Sequence, residues 1–264
     1  MNLNVDLLNS NFATASIQES VELDSPLQRL SQNAISGTEV VGLLQQYGLM
    51  IQLQRELIID AELRSIECND EDIFSAYKAF YQHQQINSDQ DRAEWLQRNH
   101  LNLAQFEQLV LRTVKLDRFK QTTFSHQVDS YFLQRKNQLD RASYSLLRVK
   151  DPHLAQELFF RLEAGEATFP ELVKQYSQGQ EAETNGSIGP HELSFPHPTL
   201  AQKIRSLKPG RLSHPLQVAD WFVIVKLDRY FPAQLDDKMR SRLIEELYDR
   251  WIQNQLKQLK TAAV

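Results

Sequence analysis

The chain has 264 residues, a formal net charge of −5, 41% hydrophobic and 24% charged residues and a single cysteine. That is the composition of a globular polypeptide with room for one large or two modest domains. The acidic balance, with no cluster of Lys and Arg, excludes a nucleic-acid surface. Cys68 alone cannot form an intrachain disulfide or a thiolate metal site, and no stretch of the sequence reaches the roughly 20 apolar residues of a membrane span.

Residues 1–34 lack the basic and uninterrupted apolar segments of a secretory leader and carry Asp6, Glu19, Glu22 and Asp24. They are expected to form a flexible tail. Together with the lone cysteine they set the expectation of a cytoplasmic protein. From Ser36 to Arg64, Val40, Leu43, Leu44, Tyr47, Met50, Ile51, Leu57 and Ile58 recur at three and four, which predicts an amphipathic helix or a closely joined pair weakened at Gly48. Asn69, with Asp72 three residues on, caps a further helix holding Ile73, Phe74, Tyr77 and Phe80. Asn87–Asp91 is expected to be a polar link and Asn99–Asn102 a turn. Leu103–Phe119 and Thr123–Asn137 are two more helical blocks.

The signals change at Arg141. Ser143–Val149 is rich in Tyr, Leu and Val and reads as a strand, and Pro152 suits the first turn of the helix that follows, with Leu154, Leu158 and Leu162 on one face and Gly165 at its end. Phe169–Tyr176 is a short helix behind Thr168, and Thr199–Leu207 is a third that stops at Pro209-Gly210. Trp221–Leu227, nearly all β-branched or aromatic, reads as a buried strand. This order predicts a small antiparallel sheet with helices packed on it. After it, Leu235, Met239, Leu243, Leu247 and Trp251 step by four along a long helix. Its stripe needs cover, for which the earlier helices are the expected partners. Trp251 is expected in the core, Glu245-Glu246 and Asp236-Asp237 on solvated faces.

The run Leu162-x-x-Gly165-x-x-x-Phe169-x-x-Leu172-x-x-x-Tyr176-Ser177, then Gly186-x-x-Gly189, then Leu207-Lys208-Pro209-Gly210 between the two strands resembles the parvulin (rotamase) domain of peptidyl-prolyl isomerases, in the arrangement of the SurA-type and PrsA-type foldases. The resemblance implies an α+β chain in which a parvulin-like domain, residues 141–232, is inserted into a helical chaperone-type domain, residues 35–140 plus 234–260. It also implies two facing histidines, one in each strand, and a Cys or Asp after the Tyr-Ser. Here those positions read Tyr144 (or Ser145, one residue along), Phe222 and Gly179. Ser145, Ile188, Pro196, His197, Leu200 and Trp221 are the expected substrate-binding residues, and Tyr144 and Phe222 are expected side by side, flooring a hollow for a proline ring.

Rotation about an X–Pro bond crosses a barrier of about 18–20 kcal/mol because the amide is partly double-bonded. A catalyst lowers it by binding the twisted amide better than either planar isomer. That scheme calls for an apolar grip and for no nucleophile, metal or cofactor. Two readings stay open: a working isomerase with an altered floor, binding unfolded or extended proline-containing polypeptide, and a non-catalytic peptide-binding escort with an export-machinery partner. His191, His197 and His214 match no zinc-ligand spacing and read as loop histidines. Ser145 lacks a nucleophile-elbow context, and Gly186 and Gly189 mark a backbone turn.

Overall fold

The computed structural model describes residues 35–262; the tail expected over 1–34 lies outside them. These residues divide into two compact units, 35–61 with 255–262, and 62–254.

In the first unit, α1 (Gly37–Gln46) opens on a capping box between Ser36 and Glu39. Gly48, at φ +69°, separates it from α2 (Met50–Leu63), so the break foreseen at Gly48 divides a helix pair.

The second unit begins with α3 (Asp70–Gln84), where Asn69 and Asp72 exchange side-chain-to-backbone hydrogen bonds of 2.8 and 3.1 Å. Of the residues expected as a polar link, Asn87 and Ser88 stay outside any helix, whereas Asp89–Asp91 open α4 (Asp89–Arg98), with the Ser88 hydroxyl accepting from Asp91 N–H at 3.1 Å. Burial explains the difference. Phe80 of α3, Trp95 of α4 and Phe106 of α5 (Leu103–Phe124) meet edge to face, with ring centroids 5.3, 5.4 and 5.6 Å apart, and that contact outweighs the polarity of the other residues of α4. A 3₁₀ turn, Ser125–Gln127, leads into α6 (Val128–Leu139).

The last helix, α10 (Asp237–Ala262), packs on α5 through Trp251 against Phe119 at 5.2 Å and Tyr248 against Phe124 at 6.4 Å. Glu245 is exposed, as expected of a solvated face, whereas Glu246 is half-buried, and both carry ion pairs. Glu245 pairs with Lys120 at 2.7 Å, and Glu246 pairs with Arg135 of α6 and, at 3.1 Å, with Arg242. Each faces a helix that carries the opposite charge. Asp236 accepts from Met239 N–H at 2.8 Å and so caps the helix.

Between α6 and α10 stands a four-stranded antiparallel sheet in the order β2 (Ser187–Glu192), β1 (Arg141–Val149), β4 (Trp221–Phe231), β3 (Leu216–Val218). Helices α7 (Pro152–Glu163) and α8 (Phe169–Tyr176) connect β1 to β2, and α9 (Pro198–Ser206) follows β2. One face, carrying Leu147, Val149, Phe222 and Ile224, packs on Leu158, Phe159, Phe169, Leu172 and Val173 of α7 and α8. The other, carrying Ala142, Tyr144, Leu146, Val223, Val225 and Leu227, packs on Leu200, Ala201 and Ile204 of α9. Helices on both faces satisfy the demand of a sheet that is apolar on each side. Gly186 lies in the turn expected for it, whereas Gly189 falls inside β2, and both glycines are required: a Cβ on Gly189, at φ +99°, would lie 2.4 Å from the Ala142 carbonyl oxygen, and one on Gly186, at φ +86°, 2.9 Å from Val173.

Asp140 joins the helices to the sheet. Its buried carboxylate accepts from the Tyr230 hydroxyl at 2.6 Å, Ala233 N–H at 2.7 Å and Lys136 Nζ at 3.0 Å, tying the end of α6 and the exit of β4 to one group. Burial alone would push this carboxyl up, but those three donors hold it below the usual aspartate value.

Candidate functional site

The register of β1 on β4 decides which residues can share a site. Val149 pairs with Phe222, Leu147 with Ile224 and Tyr144 with Leu227. Side chains alternate along a strand, so Tyr144 projects to the α9 face and Phe222 to the face covered by α7 and α8. The expectation that Tyr144 and Phe222 stand side by side is therefore incorrect: they lie on opposite faces, because a difference of one residue along either strand decides which face a side chain takes. The β4 residues that do share the Tyr144 face are Trp221, Val223, Val225 and Leu227. Ser145, also expected at the site, lies with its hydroxyl donating to Asp228 Oδ2 at 2.9 Å, on the side away from Tyr144.

Of the expected residues, the structure brings Tyr144, Ile188, Leu200 and Trp221 to one face. Tyr144 and Leu200 are buried, while Ile188 and Trp221 are half-buried at its margin. Pro196 and His197 stand in the loop before α9, where His197 Nδ1 accepts from Thr199 N–H at 3.3 Å and caps the helix. The other loop histidines have aromatic neighbours, His191 on Phe195 at 4.9 Å and His214 on Phe159 at 4.5 Å. Among the described residues no group of three His, Cys, Asp or Glu is placed to hold a metal.

A polar cluster of Arg148, Glu181 and Ser177 joins this face, and spacing did not show its pairing. Arg148 donates from Nε and Nη2 to the two oxygens of Glu181, at 3.0 and 2.6 Å, and the Ser177 hydroxyl donates to Glu181 Oε1 at 2.6 Å. The Arg148 guanidinium also lies 5.7 Å from the centre of the Trp221 ring, which Lys150 approaches at 5.3 Å. Arg148 follows Tyr144 by four residues, so alternation alone places it on the same face. No sequence signal paired it with Glu181, which lies in a 3₁₀ turn, Gln180–Thr184. Burial and the nearby Glu181 carboxylate push the Tyr144 phenol up to about 12, so it stays neutral and able to donate throughout the physiological range.

The arrangement is thus an apolar floor with one neutral phenol, bounded by a fixed ion pair and an indole. It offers grip and a few oriented donors.

Residues 148–229 match the family model described as Rotamase: PPIC-type PPIASE domain. Among curated proteins, Chaperone SurA of Vibrio vulnificus is 32% identical over 96 residues, covering 36% of this chain and 22% of the relative. Foldase protein PrsA of Halalkalibacterium halodurans is 26% identical over 257 residues, 90% of this chain and 73% of the relative. The chain thus spans about a fifth (22%) of the length of that SurA relative. Among solved structures, peptidylprolyl isomerase PrsA from Bacillus cereus aligns with a TM-score of 0.48 and 20% identity, covering 87% of this chain and 89% of that one. The parvulin domain of PpiD from E. coli aligns over 38% of this chain and 97% of its own, with a TM-score of 0.31 and 26% identity.

Proposed function

We propose that the protein, whose residues 148–229 match the PPIC-type PPIASE domain model, is a peptidyl-prolyl cis–trans isomerase and foldase that binds extended, proline-containing segments of client polypeptides. The family match carries this reading, and the Tyr144 face of the sheet supports it. Ile188 and Trp221, at the accessible margin, supply apolar surface for a pyrrolidine ring, backed by the buried Leu200 and Val223. Such a site lowers the rotation barrier by favouring the twisted amide, in which the ring keeps its apolar contacts while the carbonyl swings. Tyr144, neutral and fixed by burial, is a donor without charge. A cytoplasmic setting belongs to the same proposal and is tested by cell fractionation.

One observation favours a second reading. The positions for which the family resemblance implies two histidines and a Cys or Asp hold Tyr144 (or Ser145), Phe222 and Gly179. A domain with that floor suits a peptide-holding escort that passes chains to an export or maturation machine. Refolding of a substrate protein limited by one X–Pro bond separates the two. The isomerase reading expects the slow phase to accelerate in proportion to added protein; the escort reading expects binding of the unfolded chain with that phase at its uncatalysed rate.

A further inference from the structure

Arg148 stands where the site lacks a side chain. A Cβ built on Gly179 would lie 1.9 Å from Arg148 Nε, so the guanidinium fills the space that a residue larger than glycine would need. It is held there by Glu181, whose side chain is 1% exposed, while the Arg148 side chain keeps 31% exposure. The two-point pairing uses the Nε and Nη2 edge, which turns the Nη1 donors away from Glu181.

We infer that Arg148 is a binding residue of this site: its Nη1 edge donates to a main-chain carbonyl of an extended client peptide lying across Trp221, in the place left by Gly179. This rests on the reading that prolyl peptides bind the Tyr144 face. A neutral carbonyl is the acceptor that fits. The ion pair carries no net charge, and an incoming carboxylate would be repelled by Glu181 across a few ångströms of partly buried space. Lys150, over the same indole, is exposed, and its attraction for an anion is screened by solvent and salt. The guanidinium is already immobilised before a peptide arrives, so ordering it adds little to the cost of binding.

The test is titration of Ala-Ala-Pro-Phe peptides, and of analogues in which single carbonyl oxygens are replaced by sulfur, onto the full chain. The paired variant Arg148→Met/Glu181→Met removes both charges together and leaves no carboxylate buried alone. It is expected to bind the all-oxygen peptide about five-fold more weakly. One thioxo position is expected to weaken binding to the wild type and to have no effect on the paired variant. Replacing the residue before proline by Glu is expected to give no gain. If thermal unfolding shows the paired variant unfolded, Arg148→Lys, which keeps the charge and loses the planar fork, carries the comparison with the same expected loss. A folded variant with unchanged affinity, or a wild type that prefers the Glu peptide about tenfold through Arg148, overturns the inference while leaving prolyl-peptide binding in place. A wild type that binds none of the peptides overturns both.

Discussion

Two residues concentrate the physical constraints. Gly179 has no side chain because the Arg148 guanidinium occupies its surroundings. Gly179→Ala must displace a group clamped by Glu181, which Ser177 in turn holds, and is expected to lower stability by about 1–3 kcal/mol in urea unfolding. Asp140 has the opposite character, a charge made stable inside the protein by three donors. Its folded pKa lies below its unfolded value, so its contribution is complete above the unfolded carboxylate range, roughly pH 4, and is lost as pH falls through the lower folded value. Asp140→Asn is expected to cost about 1–3 kcal/mol at neutral pH. The variant should also lose less than the wild type on acidification below pH 4, as measured by denaturant midpoints across a pH series.

At the scale of elements, alternation along β1 and β4 governs function. Phe222 belongs with Leu158, Phe169 and Leu172 beneath α7 and α8. Phe222→His is therefore expected to place a polar ring in an apolar contact, lowering stability by about 1–3 kcal/mol, while kcat/KM on an X–Pro peptide stays within about twofold of the wild type. A rate gain in that variant would return Phe222 to the site. The helices were largely legible because their stripes and caps are local: α8 spans the expected Phe169–Tyr176, and the Asn69 cap sits where expected. The edge strands β2 and β3 were not. Gly189 and Pro190 interrupt β2, and β3 has three residues, so both owe their form to the strands they pair with rather than to their own pattern. In α4 a polar sequence is held helical through Trp95. The α10 stripe found its cover on α5; Trp251→Ala is expected to cost about 2–4 kcal/mol in thermal or denaturant unfolding, since it removes an indole packed on Phe119.

At the scale of the molecule, the order of words from Leu162 to Gly210 announced the domain, and the family match over residues 148–229 agrees with it. The site within that domain was half legible. Tyr144, Ile188, Leu200 and Trp221 share one face of the sheet, whereas Phe222 lies on the other, and the Arg148–Glu181 pair depends on a fold that brings a strand and a distant 3₁₀ turn together. The central claim is that a prolyl peptide lies on the α9 face of the sheet. Methyl-labelled protein titrated with Ala-Ala-Pro-Phe and followed by NMR tests it most directly. Saturable shifts are predicted at the methyls of Ile188, Leu200 and Val223, with those of Leu158, Leu172 and Ile224 unmoved. Shifts confined to the α7–α8 face, or none at saturating peptide, would contradict the account.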